Sequence, residues 1–186
     1  MDTVFNITAK LRGFDLTFKT TYDLFSYRRI DNGTQLLIDT IKVNNGDTCL
    51  DLGCGYGAVG ISLAKLNPNG KIYFVDRDFV AVDFSKENCR VNKVTNYEAR
   101  LSNGFSNLEK LSFDIIASNL PTHIAKEALE LIIAEAKNHL NVNGRFYVVT
   151  VNRLRPYIQR ELEAVFGNYE KVSQNKDYTI SLALKN

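Results

Sequence analysis

The segment at residues 51–57, Asp-Leu-Gly-Cys-Gly-Tyr-Gly, constrains the fold more than any other part of the chain. Its three glycines are spaced by two. An apolar, strand-like run at residues 48–50 precedes them, and a helical pattern beginning at Ala58 follows them. Because glycine has no β-carbon, a glycine-rich turn between a strand and a helix lets a bulky ligand lie directly on the main chain. The segment therefore predicts a strand–turn–helix unit that binds a ligand at the turn.

Strand-like and helix-like patterns alternate around this turn. The predicted strands are 47–52, 71–75, 96–101, 113–118 and 144–151, and the predicted helices are 57–66, 78–92, 123–140 and 153–165. Two further strands, 169–173 and 177–184, follow without a helix between them, so they must run antiparallel. We therefore predict an α/β, Rossmann-like fold with a seven-stranded, mostly parallel sheet whose final strand is antiparallel.

The residues before the turn are predicted to form an N-terminal β-hairpin with strands at 4–11 and 14–19. A short helix at 35–41 follows, with Thr34 as its amino-terminal cap and residues 31–33 as the turn before it. No linker-like composition interrupts the chain. We therefore predict a single domain over residues 1–186, in which 1–45 form the hairpin and a cofactor-covering segment and 46–186 form the Rossmann-like core.

Composition limits the class of protein. With 45% hydrophobic and 24% charged residues, the chain is typical of a globular protein. No apolar stretch approaches membrane-spanning length and the amino terminus lacks a signal-peptide pattern, so we predict a cytoplasmic protein without membrane contact. The three cysteines have no metal-like spacing, which predicts reduced thiols and no metal site. The net charge of +2 does not by itself indicate a nucleic-acid binder.

Two kinds of cofactor fit the glycine turn. The spacing Gly55-x-Gly57-x-x-Gly60 also satisfies the dinucleotide fingerprint, and Asp76 follows at the distance expected of a ribose-binding acid. Asp51 helps to separate the two, because its carboxylate would repel a pyrophosphate but favour the ammonium and sulfonium of S-adenosyl-L-methionine. We predict S-adenosyl-L-methionine, and a nicotinamide oxidoreductase is the disfavoured alternative.

Two later positions also suit this cofactor. Asp76 ends an apolar strand, where its carboxylate can accept both ribose hydroxyls; its alternative role is to cap the next helix, a role that Asp78 suits better. Asn103-Gly104 follows the third strand of the core, where the asparagine side chain could bind adenine. An ordinary turn explains Asn-Gly equally well.

The sequence Ser118-Asn119-Leu120-Pro121 is the candidate catalytic segment because it follows a strand at the sheet edge where open α/β proteins bind ligands. An aromatic exocyclic amine is a poor nucleophile, since its lone pair is delocalised into the ring. The side-chain oxygen of Asn119 and the carbonyl of Leu120 could accept its two hydrogens and turn the lone pair toward the sulfonium methyl. Pro121 favours an extended Leu120, and His123 could take the released proton. A plain strand-ending turn, with His123 starting a helix, is the alternative.

Aromatic and basic residues are the candidate substrate contacts. Arginines that converge beside the cofactor would steer RNA, and exposed aromatics would stack on a base. A solvated surface and core packing are the respective alternatives. The predicted substrate-binding residues are Phe25, Tyr27, Arg28, Arg29, Arg153 and Arg155.

Together these residues resemble the methyltransferase small domain family of class I methyltransferases, which includes the guanine exocyclic-amine methyltransferases of bacterial small-subunit rRNA and compact archaeal homologues. The resemblance rests on Phe25-Ser26 and on residues 31–37, 51–57 and 118–121. It implies a cofactor contact near Thr34. The cofactor-binding set is then Thr34, Asp51, Gly53, Cys54, Gly55, Tyr56, Gly57, Asp76, Arg77, Asn103, Gly104 and Asn119.

The chain departs from the family's catalytic motif, which is Asn-Pro-Pro followed by an aromatic or aliphatic residue. Leu120 replaces the first proline, and Thr122 stands where relatives with base-stacking chemistry carry Phe or Tyr. A stacking platform must then come from elsewhere, such as Tyr27 or His123. The resulting expectation is an S-adenosyl-L-methionine-dependent methyltransferase acting on a guanine of structured RNA, rRNA first and tRNA second. The alternatives are a protein glutamine-amide methyltransferase and a non-catalytic cofactor-binding module.

Overall fold

The structure, a computed structural model, describes residues 3–121 and 125–186. Its first part contains β1 (Phe5–Leu11), β2 (Phe14–Thr20), α1 (Asn32–Thr40), β3 (Thr48–Leu52), α2 (Ala58–Leu66), β4 (Lys71–Asp76), α3 (Phe79–Val91) and β5 (Tyr97–Leu101). Its second part contains β6 (Phe113–Asn119), α4 (Lys126–His139), β7 (Leu140–Val151), a 3-10 turn (Asn152–Leu154), α5 (Arg155–Phe166), β8 (Glu170–Gln174) and β9 (Tyr178–Leu184).

The seven-stranded sheet has the strand order β5-β4-β3-β6-β7-β9-β8. The strands from β5 to β7 are mutually parallel, whereas β9 lies antiparallel between β7 and β8. The β1–β2 hairpin is a separate two-stranded sheet. These observations confirm the predicted Rossmann-like class. The chain order reverses between β3 and β6, so the crevice beyond their carboxyl ends is the expected ligand site.

Both faces of the sheet are covered. The hairpin, α1, α2 and α3 pack on one face, and α4 and α5 pack on the other. Strands buried on both sides need apolar residues at nearly every position, which explains the continuous runs of β3, β4 and β6.

Two asparagines fasten the hairpin to the core, Asn88 in α3 and Asn92 at the carboxyl-terminal cap of that helix. Asn92 exchanges two hydrogen bonds with the backbone of Thr17, at 3.0 and 2.7 Å, and Asn88 exchanges two with the backbone of Lys19, at 2.7 and 2.8 Å. Asn88 also donates to the carbonyl of Tyr56 in the glycine turn, at 2.8 Å. The asparagine amides thereby pair the outer edge of β2 as a strand would.

Two local predictions were wrong. Thr34 is not the cap of α1: Asp31 is, and its Oδ2 accepts hydrogen bonds from the amides of Gly33 and Thr34 at 2.9 and 3.1 Å. The helix therefore begins at Asn32, because a carboxylate at residue 31 satisfies its first free amides. Strand β7 begins at Leu140 rather than residue 144, because Leu140 pairs with Phe113 across a bulge. The predicted helix at 123–140 begins outside the described residues, and α4 starts at residue 126.

A membrane crossing would need a longer and more apolar helix than any in the described ranges.

Candidate functional site

The glycine turn between β3 and α2 presents bare main chain. Gly53 and Gly55 have φ values of 75° and 53°, in the left-handed region that glycine adopts without strain. A β-carbon at either position would meet no atom within 4 Å, so this part of the turn faces open space. Gly60 has a different role, since a β-carbon there would overlap the ring of Phe74. The turn thus has one open side, and α2 packs closely on β4 behind it.

The end of β4 lies against this turn. The amides of Gly53 and Cys54 both donate to the carbonyl of Val75 at 2.9 Å. The amide of Gly55 donates to Oδ2 of Asp76 at 3.0 Å, and the amide of Asp78 donates to Oδ1 at 3.0 Å. Each oxygen of the half-buried Asp76 carboxylate keeps capacity for another donor.

The predicted cap of α3 is confirmed. Asp78 precedes the helix in an extended conformation, and its Oδ1 accepts from the amide of Val80 at 2.9 Å. Asp76 is therefore not needed as the cap, and its carboxylate remains at the sheet edge beside the glycine turn.

Asp51 is a buried carboxylate behind the same turn. Only 2% of it is exposed, and its Oδ2 accepts from the amide of Gly60 at 2.8 Å. Burial raises the pKa of Asp51 to about 7, the Gly60 hydrogen bond opposes this rise, and the negative charge of Asp76 adds to it. A cation arriving at this site would stabilise the ionised form.

Asn119 lies at the carboxyl end of β6 and touches α1. Its Nδ2 donates to Oγ1 of Thr34 at 2.9 Å and to Oδ2 of Asp31 at 3.3 Å. Thr34, predicted to contact the cofactor, is thus placed against the predicted catalytic residue. The sequence analysis missed two residues that belong to the hydrogen-bond network of the Asn119 side chain. One is Asp31, which it took for part of a turn. The other is Tyr178 of β9, whose hydroxyl donates to Oδ1 of Asp31 at 3.1 Å. The sequence offered a capping signal for Asp31 and no signal for Tyr178.

Leu120 and Pro121 complete the candidate catalytic segment and differ in exposure. Leu120 donates its amide to the carbonyl of Val149 at 3.2 Å, and its side chain, 3% exposed, lies in the core. Pro121 is exposed. His123 and Thr122 lie outside the described residues.

The side chains of the glycine turn point inward. Cys54 and Tyr56 are both buried, so only their main chain can face a ligand. Burial, with the charges of Asp51 and Asp76, raises the pKa of the Cys54 thiol. The Tyr56 hydroxyl lies 3.4 Å from the carbonyl of Arg29 and so joins the turn to the segment before α1.

The predicted adenine contacts lie at the same sheet edge. Asn103 is exposed two residues after the end of β5, the neighbour of β4, and Gly104 follows with a φ of 59°. Arg77 is exposed at the end of β4. The sequence analysis overlooked Phe79, which is 67% exposed at the start of α3, and Leu101, which is 50% exposed at the end of β5. Phe79 could have been noticed because it follows the strand-ending Asp76 by three residues, whereas Leu101 lies beside Asp76 only through the pairing of β4 with β5.

Four of the six predicted substrate residues lie together before α1. Phe25 is 67% exposed, Arg28 and Arg29 are exposed, and Tyr27 is half-buried. The guanidinium carbon of Arg28 lies 5.2 Å from the centroid of the Tyr27 ring. The same ring packs at 4.9 Å from that of Tyr22, which is also exposed. We name Tyr22, Phe25, Tyr27, Arg28 and Arg29 the aromatic–arginine surface.

The other two predicted substrate residues lie beyond β7. Arg153 is exposed in the 3-10 turn. Arg155 begins α5 and lies with a guanidinium nitrogen 3.5 Å from the side-chain oxygen of Gln174. These two arginines belong to the 3-10 turn and α5, whereas the aromatic–arginine surface belongs to the segment before α1.

Comparisons with known proteins place the chain in a family. The profile of the methyltransferase small domain matches residues 15–181. The uncharacterised protein YbxB of Bacillus subtilis (strain 168) is 33% identical over 181 residues, which cover 95% of this chain and 89% of that protein.

Two solved structures are similar in fold. The Thermus thermophilus 16S rRNA N2 G1207 methyltransferase (RsmC), in complex with AdoMet and guanosine, superposes with a TM-score of 0.91 at 24% identity. The match covers all of this chain, which spans 52% of that protein. The precorrin-6y C5,15-methyltransferase of Geobacter metallireducens GS-15 superposes with a TM-score of 0.73 at 18% identity, covering 91% of this chain and 94% of that one. By their names, these two act on different substrates.

The family match and the sheet topology together agree with the predicted enzyme class and with the predicted cofactor, S-adenosyl-L-methionine. The chain belongs to the methyltransferase small domain family and is a class I, S-adenosyl-L-methionine-dependent methyltransferase.

Proposed function

We propose that this protein transfers a methyl group from S-adenosyl-L-methionine to a guanine base of structured RNA, with rRNA as the first candidate substrate and tRNA as the second. The observation that carries the proposal is the orientation of Asn119 at the carboxyl end of β6. Its amide nitrogen is engaged by α1, so its oxygen is turned away from that helix and is available to an incoming amine.

The proposed cofactor site lies along the glycine turn. The open main chain at Gly53 and Gly55 receives the bulk of the cofactor, and Asp51 balances the positive charge of its amino-acid part. Asp76 holds the ribose hydroxyls. Asn103 and Gly104 lie at the adenine end, with the exposed side chains of Phe79 and Leu101 beside them. Bound there, the cofactor supplies an electrophilic methyl group on a positively charged sulfur.

The chain's own residues then position the nucleophile. The oxygen of Asn119 and the carbonyl of Leu120 accept the two hydrogens of the exocyclic amine and direct its lone pair toward the methyl group. The nitrogen–carbon bond forms as the sulfur–carbon bond breaks, and the amine loses one proton. His123 is the proposed acceptor of that proton, and it lies outside the described residues.

The aromatic–arginine surface supports RNA as the substrate. Phe25 and Tyr22 are exposed aromatic residues on which unpaired bases can stack, and Arg28 and Arg29 offer charge to the phosphates. The Tyr56 contact with Arg29 keeps this surface beside the glycine turn. It also offers the stacking platform that Thr122 cannot provide. The substrate named for the T. thermophilus relative, a guanine of 16S rRNA, is in line with this proposal.

The test is incubation with cofactor carrying a labelled methyl group. Separated rRNA, tRNA and protein fractions come from cells that lack this enzyme, and Asn119→Ala serves as the negative control. Label in rRNA that yields methylguanine on nuclease digestion supports the proposal, and the same product in tRNA selects the second substrate. Label only in protein would favour the glutamine-amide reaction. No label in any fraction, with cofactor binding intact, would favour a binding module.

A further inference from the structure

We infer that Asp31 and Thr34 are positioning residues that fix which end of the Asn119 amide faces the substrate, and that Tyr178 holds Asp31 in place for this task. The inference rests on the proposed catalytic role of Asn119. It gives α1, for which only a cofactor contact at Thr34 was predicted, a role in orienting Asn119, and it adds β9, which had no predicted role.

The chemistry of the partners sets the orientation. An ionised carboxylate only accepts hydrogen bonds, so the end of the amide that faces Asp31 must be the NH₂ group. The Asn119 nitrogen lies 3.3 Å from Oδ2 of Asp31 and 2.9 Å from Oγ1 of Thr34. The oxygen then points to the opposite side. If the amide turned over, its oxygen would face a carboxylate and its NH₂ group would face an amine that needs acceptors.

The carboxylate of Asp31 is itself fixed by three further hydrogen-bond donors. Its Oδ2 accepts from the amides of Gly33 and Thr34, at 2.9 and 3.1 Å, and its Oδ1 accepts from the Tyr178 hydroxyl at 3.1 Å. The Tyr178 ring packs against Gly33, where a β-carbon would come within 2.8 Å of it. Burial and the charge of Asp31 raise the pKa of Tyr178, which keeps its hydroxyl a donor.

The same contacts strengthen the oxygen as an acceptor. A negative charge next to the NH₂ end polarises the amide, because hydrogen bonds in series reinforce one another in a partly buried site. Thr34 is 8% exposed, so water competes little with its hydroxyl for the NH₂ group of Asn119. We therefore expect that removal of these contacts lowers the rate of the chemical step more than it lowers the affinity for RNA or for the cofactor.

Three substitutions separate positioning from support of the fold. Thr34→Val replaces the hydroxyl with a methyl group of similar size, and Thr34→Ser should restore it. Asp31→Asn keeps a good helix cap but ends the acceptor-only contact with Asn119. Thr40→Val is the matched control, because the Thr40 hydroxyl also lies on α1 but bonds only to the carbonyl of Leu36, at 2.7 Å.

The first measurement uses the rRNA fraction described above. We expect Thr34→Val and Asp31→Asn to lower kcat about tenfold or more, with KM for RNA and Kd for the cofactor changed less than threefold. Thr34→Ser should recover most of the activity, and Thr40→Val should match the wild type. Wild-type kcat in both Thr34→Val and Asp31→Asn would overturn the inference, as would an equal loss in Thr40→Val.

The second measurement needs no substrate, so it stands even if the proposed RNA activity fails. In protein labelled with ¹⁵N, the Asn119 side-chain NH₂ pair is assigned by its loss in Asn119→Ala. We expect both of its hydrogens to exchange slowly in the wild type, and faster exchange with a shifted resonance in Thr34→Val and Asp31→Asn. Thr40→Val should leave the pair unchanged. A pair that responds to neither substitution would refute the orientation, whatever the substrate proves to be.

Discussion

Replacement of Asp51 by asparagine should remove the pH dependence of stability that this buried carboxylate imposes. Its pKa is raised from 3.8 to about 7, with burial as the largest cause. The folded protein therefore holds a proton on Asp51 at pH values where the unfolded chain has released it. Stability falls as pH rises through this window and levels off above pH 7.

The size of the effect follows from the shift. A change from 3.8 to about 7 corresponds to about 4 kcal/mol of folding free energy above pH 7, of which about 2 to 3 kcal/mol is lost between pH 5 and pH 8. Asp51→Asn removes this dependence, and its side-chain oxygen can still accept from Gly60. The stability of the variant relative to the wild type should therefore rise by about 2 to 3 kcal/mol over that range.

Urea unfolding of the ligand-free protein at pH 5, 6, 7 and 8 measures this difference. Asp114→Asn is the control, because Asp114 is a half-buried carboxylate near the amino end of β6 that accepts from the amide of Thr48 at 2.8 Å. A stability difference that stays constant with pH in Asp51→Asn, or the same slope in Asp114→Asn, would refute the reasoning.

The affinity for the cofactor should depend on pH in the opposite direction to the stability, because it should increase as the pH rises. On the proposed binding mode the cation selects ionised Asp51, so binding must displace a proton below pH 7. Wild-type Kd should rise roughly 15-fold from pH 7 to pH 5.5, a range in which the cofactor's own amino group stays protonated. Asp51→Asn should bind more weakly, with a Kd nearly independent of pH. Calorimetry in two buffers that differ in ionisation enthalpy would also detect the released proton.

Three further substitutions test other parts of the molecule. Asn119→Ala should lower kcat by about 10²–10³ without changing Kd for the cofactor more than twofold, in single-turnover and calorimetric measurements; an active variant would remove Asn119 from the mechanism. Arg28→Ala should weaken RNA binding and reduce the slope of log affinity against log salt by about one, whereas Lys65→Ala, at the end of α2, should not. Gly60→Ala forces a β-carbon into the Phe74 ring and should destabilise the fold by about 1–3 kcal/mol in urea unfolding; an unchanged midpoint would contradict this packing.

The parallel core was predictable from the sequence because its signals are local. Strands buried on both faces must be apolar throughout, and the glycine turn can only follow a strand and begin a helix. Asp51, Asp76 and Asn119 could be placed at one sheet edge for the same reason, since all three lie in or at the ends of parallel strands.

The start of α1 could not be predicted because local signals were evenly matched. Asp31 and Thr34 are both good capping residues, and their order along the chain does not decide between them. Tertiary contacts do: the Asp31 carboxylate is fixed by Tyr178, which lies 147 positions away. The contact between Asp31 and Asn119 spans 88 positions. No periodicity in the sequence reports pairings of this kind.

The departure at Leu120 shows why a motif can change while its chemistry persists. A proline at this position would lose the amide that bonds to Val149 and would leave the space of a buried leucine side chain unfilled. The leucine thus extends the pairing between β6 and β7 up to the residue after Asn119. The Asn119 amide is oriented separately, by α1, and so does not depend on the missing proline. The substitution therefore bears on how the substrate base is supported, which is the task we assign to the aromatic–arginine surface, and is compatible with the proposed acceptor pair of Asn119 and Leu120.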